Sequence, residues 1–293
     1  MKPIIEVEHL TKFYGKNRGV SDLSLAVSEG EIFGFIGPNG AGKSTTIRAL
    51  LGLISPTSGS AKLFGQAVSR QCAAPLADVG YMPAEAAFYR GMRAGEVIAL
   101  SAKLRRMDCA AEARRLCERL RLDARRRVDE LSLGNRKKVS IVCALQHRPA
   151  LCILDEPTSG LDPLMQEQFF ELLQERRAAG GTIFLSSHVL GEVQRSCHRA
   201  AVIREGRLIA CDRVENLSRT RARRVTVRGI ERLSLPGMAD VHLDGGTLRF
   251  LYDGSASDLI AALQGLPVTD LTIAEPALEE IFLHFYADGD LKA

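Results

Sequence analysis

The chain predicts an α/β fold followed by a smaller α+β unit, on three observations. Short apolar runs bounded by turn signals stand at 32–36, 151–155 and 182–187. Runs of that length and apolarity are strands buried on both faces. Segments with apolar residues at helical spacing lie between them, the order that builds a parallel sheet through crossover helices. Beyond residue 223 the pattern changes to alternating strands, a hairpin turn and short helices. With 293 residues and 46% apolar composition, there is enough material for one large core and a second small one. A net charge of +4 is too mild to demand a nucleic-acid partner. The seven cysteines form no C-x-x-C pair, so neither a zinc site nor a disulfide framework is expected, and reduced thiols are the simpler reading. There is no apolar stretch of 18 residues and no signal-type segment at the N-terminus, so the expectation is a soluble chain that meets a membrane only through a partner.

In chain order, residues 4–10 and 20–27 alternate as strands, with Val20, Leu23, Leu25 and Val27 on one side and Phe13-Tyr14-Gly15 between the two runs. The strand at 32–36 leads into Gly37-Pro38-Asn39-Gly40-Ala41-Gly42-Lys43-Ser44, and the segment from Thr45 carries Ile47, Leu50, Leu51 and Ile54 at helical spacing. This is G-x-x-x-x-G-K-S/T between a strand and a helix, where that motif has to lie. Glycines let the backbone curl with its N–H groups inward, and a helix N-terminus adds to the anion site. Lys43 can then reach the β- and γ-phosphates of a nucleoside triphosphate, and the Ser44 hydroxyl can hold Mg²⁺. Short strands follow at 61–64 and 78–83. Residues 94–127 read as helices dense in arginine, a solvated face paired with glutamates such as Glu112 and Glu118, or else a docking surface.

Residues 131–135 (Leu-Ser-Leu-Gly-Asn) open a helix over 136–147, with Ser132 as its N-cap. The strand at 151–156 ends in Asp155 and Glu156. Two adjacent carboxylates repel one another unless a cation or a chemical role compensates, and at a strand end they can hold Mg²⁺ and polarise an attacking water. A loop at 157–163 precedes a helix at 164–178; the next strand, 182–187, ends at His188. Ligands of open α/β sheets lie outside such strand ends, which turns His188 from a structural histidine into a candidate functional one. Two strands flank Glu205-Gly206, and an arginine-rich segment at 219–224 marks a boundary. The tail has a strand at 225–227, a hairpin turning at Asp244-Gly245-Gly246, helices near 256–264 and 277–286 and a strand at 268–273; it carries no evident chemistry.

Taken together, these motifs over residues 4–215 resemble the nucleotide-binding subunit of an ABC transporter. In that resemblance Tyr14 is the aromatic that stacks on adenine, 37–44 is Walker A, 131–135 the signature loop, 151–156 Walker B, 159–162 the D-loop and His188 the switch histidine. It implies a P-loop NTPase fold of the ABC ATPase type at 1–218, with a helical subdomain at about 85–148, and a small accessory domain at 219–293. The cofactors implied are ATP and Mg²⁺. ATP would be bound by Tyr14, Gly37, Pro38, Asn39, Gly40, Ala41, Gly42, Lys43, Ser44 and Thr45, and the metal by Ser44 and Asp155. Two copies would sandwich two ATP molecules, each under Ser132 and Gly134 of the other copy, with Asp162 coupling the sites. Glu156 would polarise the water and His188 would sense the γ-phosphate. The partners implied are a separate transmembrane permease and a second ATP-binding subunit, a homodimer more readily than a heterodimer, at the inner face of the membrane, with no nucleic acid.

Two departures from the family pattern stand out. Leu133 and Asn135 replace residues of the usual Leu-Ser-Gly-Gly-Gln, and Ala84 stands where a metal-reaching Gln is usual, with Glu85 beside it. Slow but real hydrolysis is expected. Segment 275–283 is similar to the tail of drug- and antibiotic-exporter ATPases, which points to export. The alternatives are an ATP switch acting on ribosomes or nucleic acid, disfavoured by the single cassette and mild charge, and a regulatory subunit with weak hydrolysis, disfavoured by the intact Asp155, Glu156 and His188.

Overall fold

A computed structural model describes residues 2–69, 72, 74–217 and 223–274. Contacts divide the chain into two units, Met1–Val214 and Glu215–Ala293. In the first unit, strands β1 (Pro3–Tyr14), β2 (Asn17–Ser28), β4 (Ser58–Leu63) and β5 (Gln66–Ala67) form an antiparallel sheet in the order β2-β1-β4-β5. A second sheet has the order β10-β9-β3-β8-β7-β6. It is built from β3 (Ile32–Ile36), β6 (Val79–Met82), β7 (Leu151–Asp155), β8 (Thr182–Ser187), β9 (Arg199–Arg204) and β10 (Arg207–Arg213). It is parallel except for β10, which pairs antiparallel with β9.

The three apolar runs of the sequence are the middle of this sheet, and their side chains divide by parity, as the period of two requires. Phe33, Phe35, Leu151, Ile153 and Phe184 join a core with the antiparallel sheet and α1 (Lys43–Leu50). Ile32, Cys152, Leu154, Ile183 and Leu185 join the opposite core, which takes in α2 (Ala94–Leu104), α3 (Ala110–Arg119), α4 (Leu133–Leu145) and α5 (Pro163–Ala178). Gly34 leaves room for Val193 and Cys197 at the end of α6 (Leu190–Ser196). Helix α6 was not expected: its short run offers too few periodic apolar positions to stand out. Helix α4 starts at Leu133, three residues earlier than the spacing predicts, because Ser132 caps it.

The arginine-rich stretch resolves into α2 and α3 with a solvated, ion-paired face. Glu112 holds Arg115 and Arg148, and Arg119 reaches Glu171 and Glu175 on α5. These cross-helix pairs favour the reading of a solvated face over one of free positive charge.

The second unit begins with the single turn α7 (Val214–Leu217), which spans the division, and then forms an antiparallel sheet in the order β12-β13-β11-β14. Its strands are β11 (Arg223–Arg228), β12 (Met238–Asp244), β13 (Thr247–Tyr252) and β14 (Asp270–Ala274). Val225, Val227, Leu248 and Phe250 pack with Leu259 and Leu263 of α8 (Ala256–Leu263) in its core. The hairpin turn at Asp244-Gly245-Gly246 joins β12 to β13 as the sequence predicts. The helix expected at 277–286, the tail motif at 275–283 and the start of the arginine-rich boundary lie outside the described residues.

Candidate functional site

The register of the parallel sheet assembles the site. Ile36 pairs with Ser187, Asp155 with Ser186 and Met82 with Leu154. The loops leaving β3, β8, β7 and β6 therefore emerge side by side at one edge. They line a cavity of about 460 Å³ with Pro38, Asn39, Gly40, Ala41, Gly42, Lys43, Ser44 and Thr45 on one wall. Tyr14, Ala84, Glu85, Glu156, Ser159 and His188 complete it.

The phosphate loop holds its shape through its own backbone. Gly42, the N-cap of α1, has φ of +108°, and a Cβ there would come within 2.6 Å of the Gly19 carbonyl oxygen. Only glycine fits that position. Thr46 Oγ1 donates to the Gly42 carbonyl at 3.0 Å, closing the first turn. Lys43 is 6% exposed, and its Nζ donates to the carbonyls of Gly37 (2.6 Å) and Pro38 (3.2 Å). A buried ammonium inside a curled loop at a helix N-terminus fits the phosphates of a nucleoside triphosphate. Tyr14 is 44% exposed at the rim, so its ring is accessible to a base, and Lys12 Nζ lies over one face, 5.3 Å from the ring centre.

Opposite the loop, Glu156 bonds two partners. Its Oε1 lies 3.1 Å from Lys43 Nζ, and its Oε2 accepts from His188 Nδ1. Glu156 has φ of +49°, in the left-handed region that non-glycine residues seldom adopt. Its N–H donates to the carbonyl of Ser186 (3.2 Å) and to Ser186 Oγ (3.1 Å). The same Ser186 hydroxyl donates to Asp155 Oδ1 at 2.5 Å, so Asp155 lies buried below the cavity with a fixed rotamer. Ser187 Oγ accepts from the Val189 N–H and donates to buried Glu192, which fixes the turn around His188.

The two adjacent carboxylates are compensated by two lysines. Lys43 is one; the other, Lys137 of α4, is 2% exposed, and its Nζ donates to the backbone carbonyls of Ala84 (2.6 Å) and Glu156 (2.7 Å). Burial pushes the Lys137 ammonium below its ordinary pKa, and the charges of Asp155, Glu156 and Glu85 oppose that shift. Sequence reasoning passed over Lys137 and Ser186, and gave Ser159 a place in the D-loop but no part in this cavity. Lys137 was findable: once α4 starts at Leu133, it shares a stripe with buried Ser140, Ile141 and Ala144, where a charge is out of place. Ser186 gave no signal beyond a polar residue in an apolar strand.

Of the expected site residues, Gly37, Ser132, Gly134, Asp155 and Asp162 do not line this cavity. Ser132 Oγ caps α4 by accepting from the Asn135 N–H at 3.3 Å, and Asp162 Oδ1 caps α5 by accepting from the Met165 N–H at 3.0 Å. Gly134 packs on the D-loop, where a Cβ would come within 2.6 Å of the Gly160 carbonyl oxygen. Leu133, the departure from the usual signature, is 54% exposed and lies over Gly160.

The residues present fit a nucleoside triphosphate and a divalent cation. The loop supplies N–H groups and Lys43, and Ser44 in the lining supplies an oxygen donor of the kind Mg²⁺ takes; Asp155 carries a second such donor but lies buried outside the lining, with Oδ1 bonded by Ser186. When bound, the ion neutralises charge on the phosphates. Among the described residues no helix is long and apolar enough to cross a membrane.

Comparison with known proteins agrees with this geometry. The family model described as ABC transporter matches residues 20–159. The chain is 32% identical over 309 residues to the bacitracin transport ATP-binding protein of Bacillus licheniformis, covering 99% of this chain and 100% of that one. It is 36% identical over 296 residues to the Nod factor export ATP-binding protein I of Cupriavidus pinatubonensis, covering 96% and 90%. Among solved structures, an ATP binding subunit of an ABC transporter matches with a TM-score of 0.68 and 31% identity, over 73% of this chain and 91% of that one. The chain belongs to the ABC transporter family, as an ATP-binding and ATP-hydrolysing subunit that energises a membrane permease.

Proposed function

We propose that this subunit powers export, with Glu156 polarising the attacking water, His188 holding Glu156 and sensing the γ-phosphate, and Ser44 and Asp155 holding Mg²⁺. The observation that carries the assignment of roles is the convergence of Lys43, Glu156 and His188 in one hydrogen-bonded row at the shared strand ends. In that row Lys43 draws charge from the phosphates, and among the described residues Glu156 is the only carboxylate bonded to it. His188 restricts the rotamer of Glu156, which keeps the base aimed at the cavity. Export is favoured because the resemblance to the bacitracin and Nod factor proteins runs nearly end to end. In this reading residues 1–218 are the motor, and 219–293 serve regulation or assembly.

The subunit works as a dimer, most simply a homodimer, because one chain carries both half-sites: the phosphate loop, and, outside its own cavity, exposed Ser132 with half-buried Gly134 two residues on. The permease docks on the helical insert at the inner face of the membrane. A groove of about 450 Å³ there is lined by Tyr81, Pro83, Phe88, Tyr89 and Leu104, with Tyr89 75% and Leu104 77% exposed. Pro83 in that groove adjoins Ala84 of the ATP cavity, so the partner and the nucleotide press on the same loop. Light scattering of the Glu156→Gln variant in ATP and Mg²⁺ tests the dimer: a stable dimer is expected, and a monomer under those conditions contradicts the sandwich.

A further inference from the structure

We infer that Lys137 is a positioning residue that transmits the position of helix α4 to Glu156. The inference rests on the role assigned to Glu156 above. The buried ammonium is the only described group bridging the two loops: it donates at once to the Ala84 carbonyl after β6 and to the Glu156 carbonyl after β7. Glu156 occupies a left-handed conformation that costs free energy and persists only where its surroundings hold it. Ser186 holds its N–H, and Lys137 holds its C=O. The carboxylate is thereby aimed at Lys43 and His188. Ala84 has only a methyl group and cannot reach across the cavity, so the fixed point on that loop is its carbonyl, and Lys137 is what holds it. Lys137 is also on the same helical end as Ser132 and Gly134. A shift of that end against a second subunit moves the ammonium, and with it the backbone of Glu156. This gives the chain a direct route from the signature loop to its own catalytic carboxylate.

The test is a double-mutant cycle on the full chain, reading ATP affinity by calorimetry and hydrolysis at saturating Mg²⁺-ATP. Lys137→Met keeps the length of the side chain and removes its donors. It is expected to lower kcat by about ten- to a hundredfold, taking the cost of removing an outer partner of a metal ligand as the scale, with ATP affinity unchanged. In the Glu156→Gln background the same substitution is expected to cost less than about twofold, since residues that act through one another are not additive. Lys137→Gln, which restores a donor, is expected to recover part of the rate. An unchanged kcat in Lys137→Met overturns the inference, as does an equal loss in both backgrounds or a joint loss of affinity and rate, which would mark a structural role alone. If Glu156→Gln itself loses no activity, the role of Glu156 fails and the inference falls with it; a loss in Glu156→Gln beside an unchanged Lys137→Met sinks only the inference.

Discussion

Replacing Glu156 by Gln isolates the proposed chemistry with little disturbance of the fold. The amide has the size of the carboxyl. Its oxygen can still accept from Lys43, which also keeps the Gly37 and Pro38 carbonyls as partners. The backbone of residue 156 stays tied to Ser186 and Lys137. What disappears is the negative charge and the capacity to take a proton from water. Loss of a positioned general base costs typically 10²–10⁴-fold, and at 1.36 kcal/mol per decade this raises the barrier by about 3–5 kcal/mol. ATP affinity should hold or rise, because a negative charge beside the phosphate loop is gone. Single-turnover hydrolysis measures the rate, and calorimetry measures the affinity. A rate within about threefold of wild type, in a variant that binds ATP normally, would refute the assignment, since it falls far short of the roughly 10²–10⁴-fold typical of a general base.

Other expectations follow from the same geometry. Lys43→Ala removes a charge-assisted contact of about 1.5–3 kcal/mol and should weaken ATP binding by roughly ten- to a hundredfold in calorimetry. Ser132→Ala deletes the cap of α4 and should lower unfolding free energy by about 1 kcal/mol in denaturant titrations. If Ser132 also covers the partner's ATP, hydrolysis should fall while binding to the isolated subunit stays intact. His147 is buried, and desolvation together with the Arg105 charge pushes its pKa down to about 4. Its unfolded value is higher, so the unfolded chain binds more protons between pH 4 and 6.5; stability is full above that window and falls as pH drops through it, by up to about 3 kcal/mol. His147→Gln should flatten that part of the profile relative to wild type, and an unchanged slope in urea titrations would count against it.

Much of the site was legible because the phosphate loop, Asp155-Glu156 and His188 each follow an apolar run short enough to be a buried strand. The sheet register then brings the ends of those runs together. Elements whose apolar pattern is diluted were less visible. Helix α6 is short and only partly apolar, and β5 has two exposed residues. Lys137 escaped notice for a different reason: its place on the buried stripe shows only once α4 is started at Leu133, and spacing does not name the two backbone carbonyls it meets. The start of α4 in turn depends on the cap at Ser132. The Leu133 departure is likewise explained only in three dimensions, by its seat over Gly160.

The central claim is that hydrolysis in this cavity drives a separate membrane protein. The most direct measurement is affinity purification of the full chain from gently solubilised native membranes, followed by mass spectrometry. The account predicts a multi-spanning membrane protein in stoichiometric amount, bound through the groove at Tyr89 and Leu104. A catch made up only of soluble proteins, above all ribosomal ones, would contradict it.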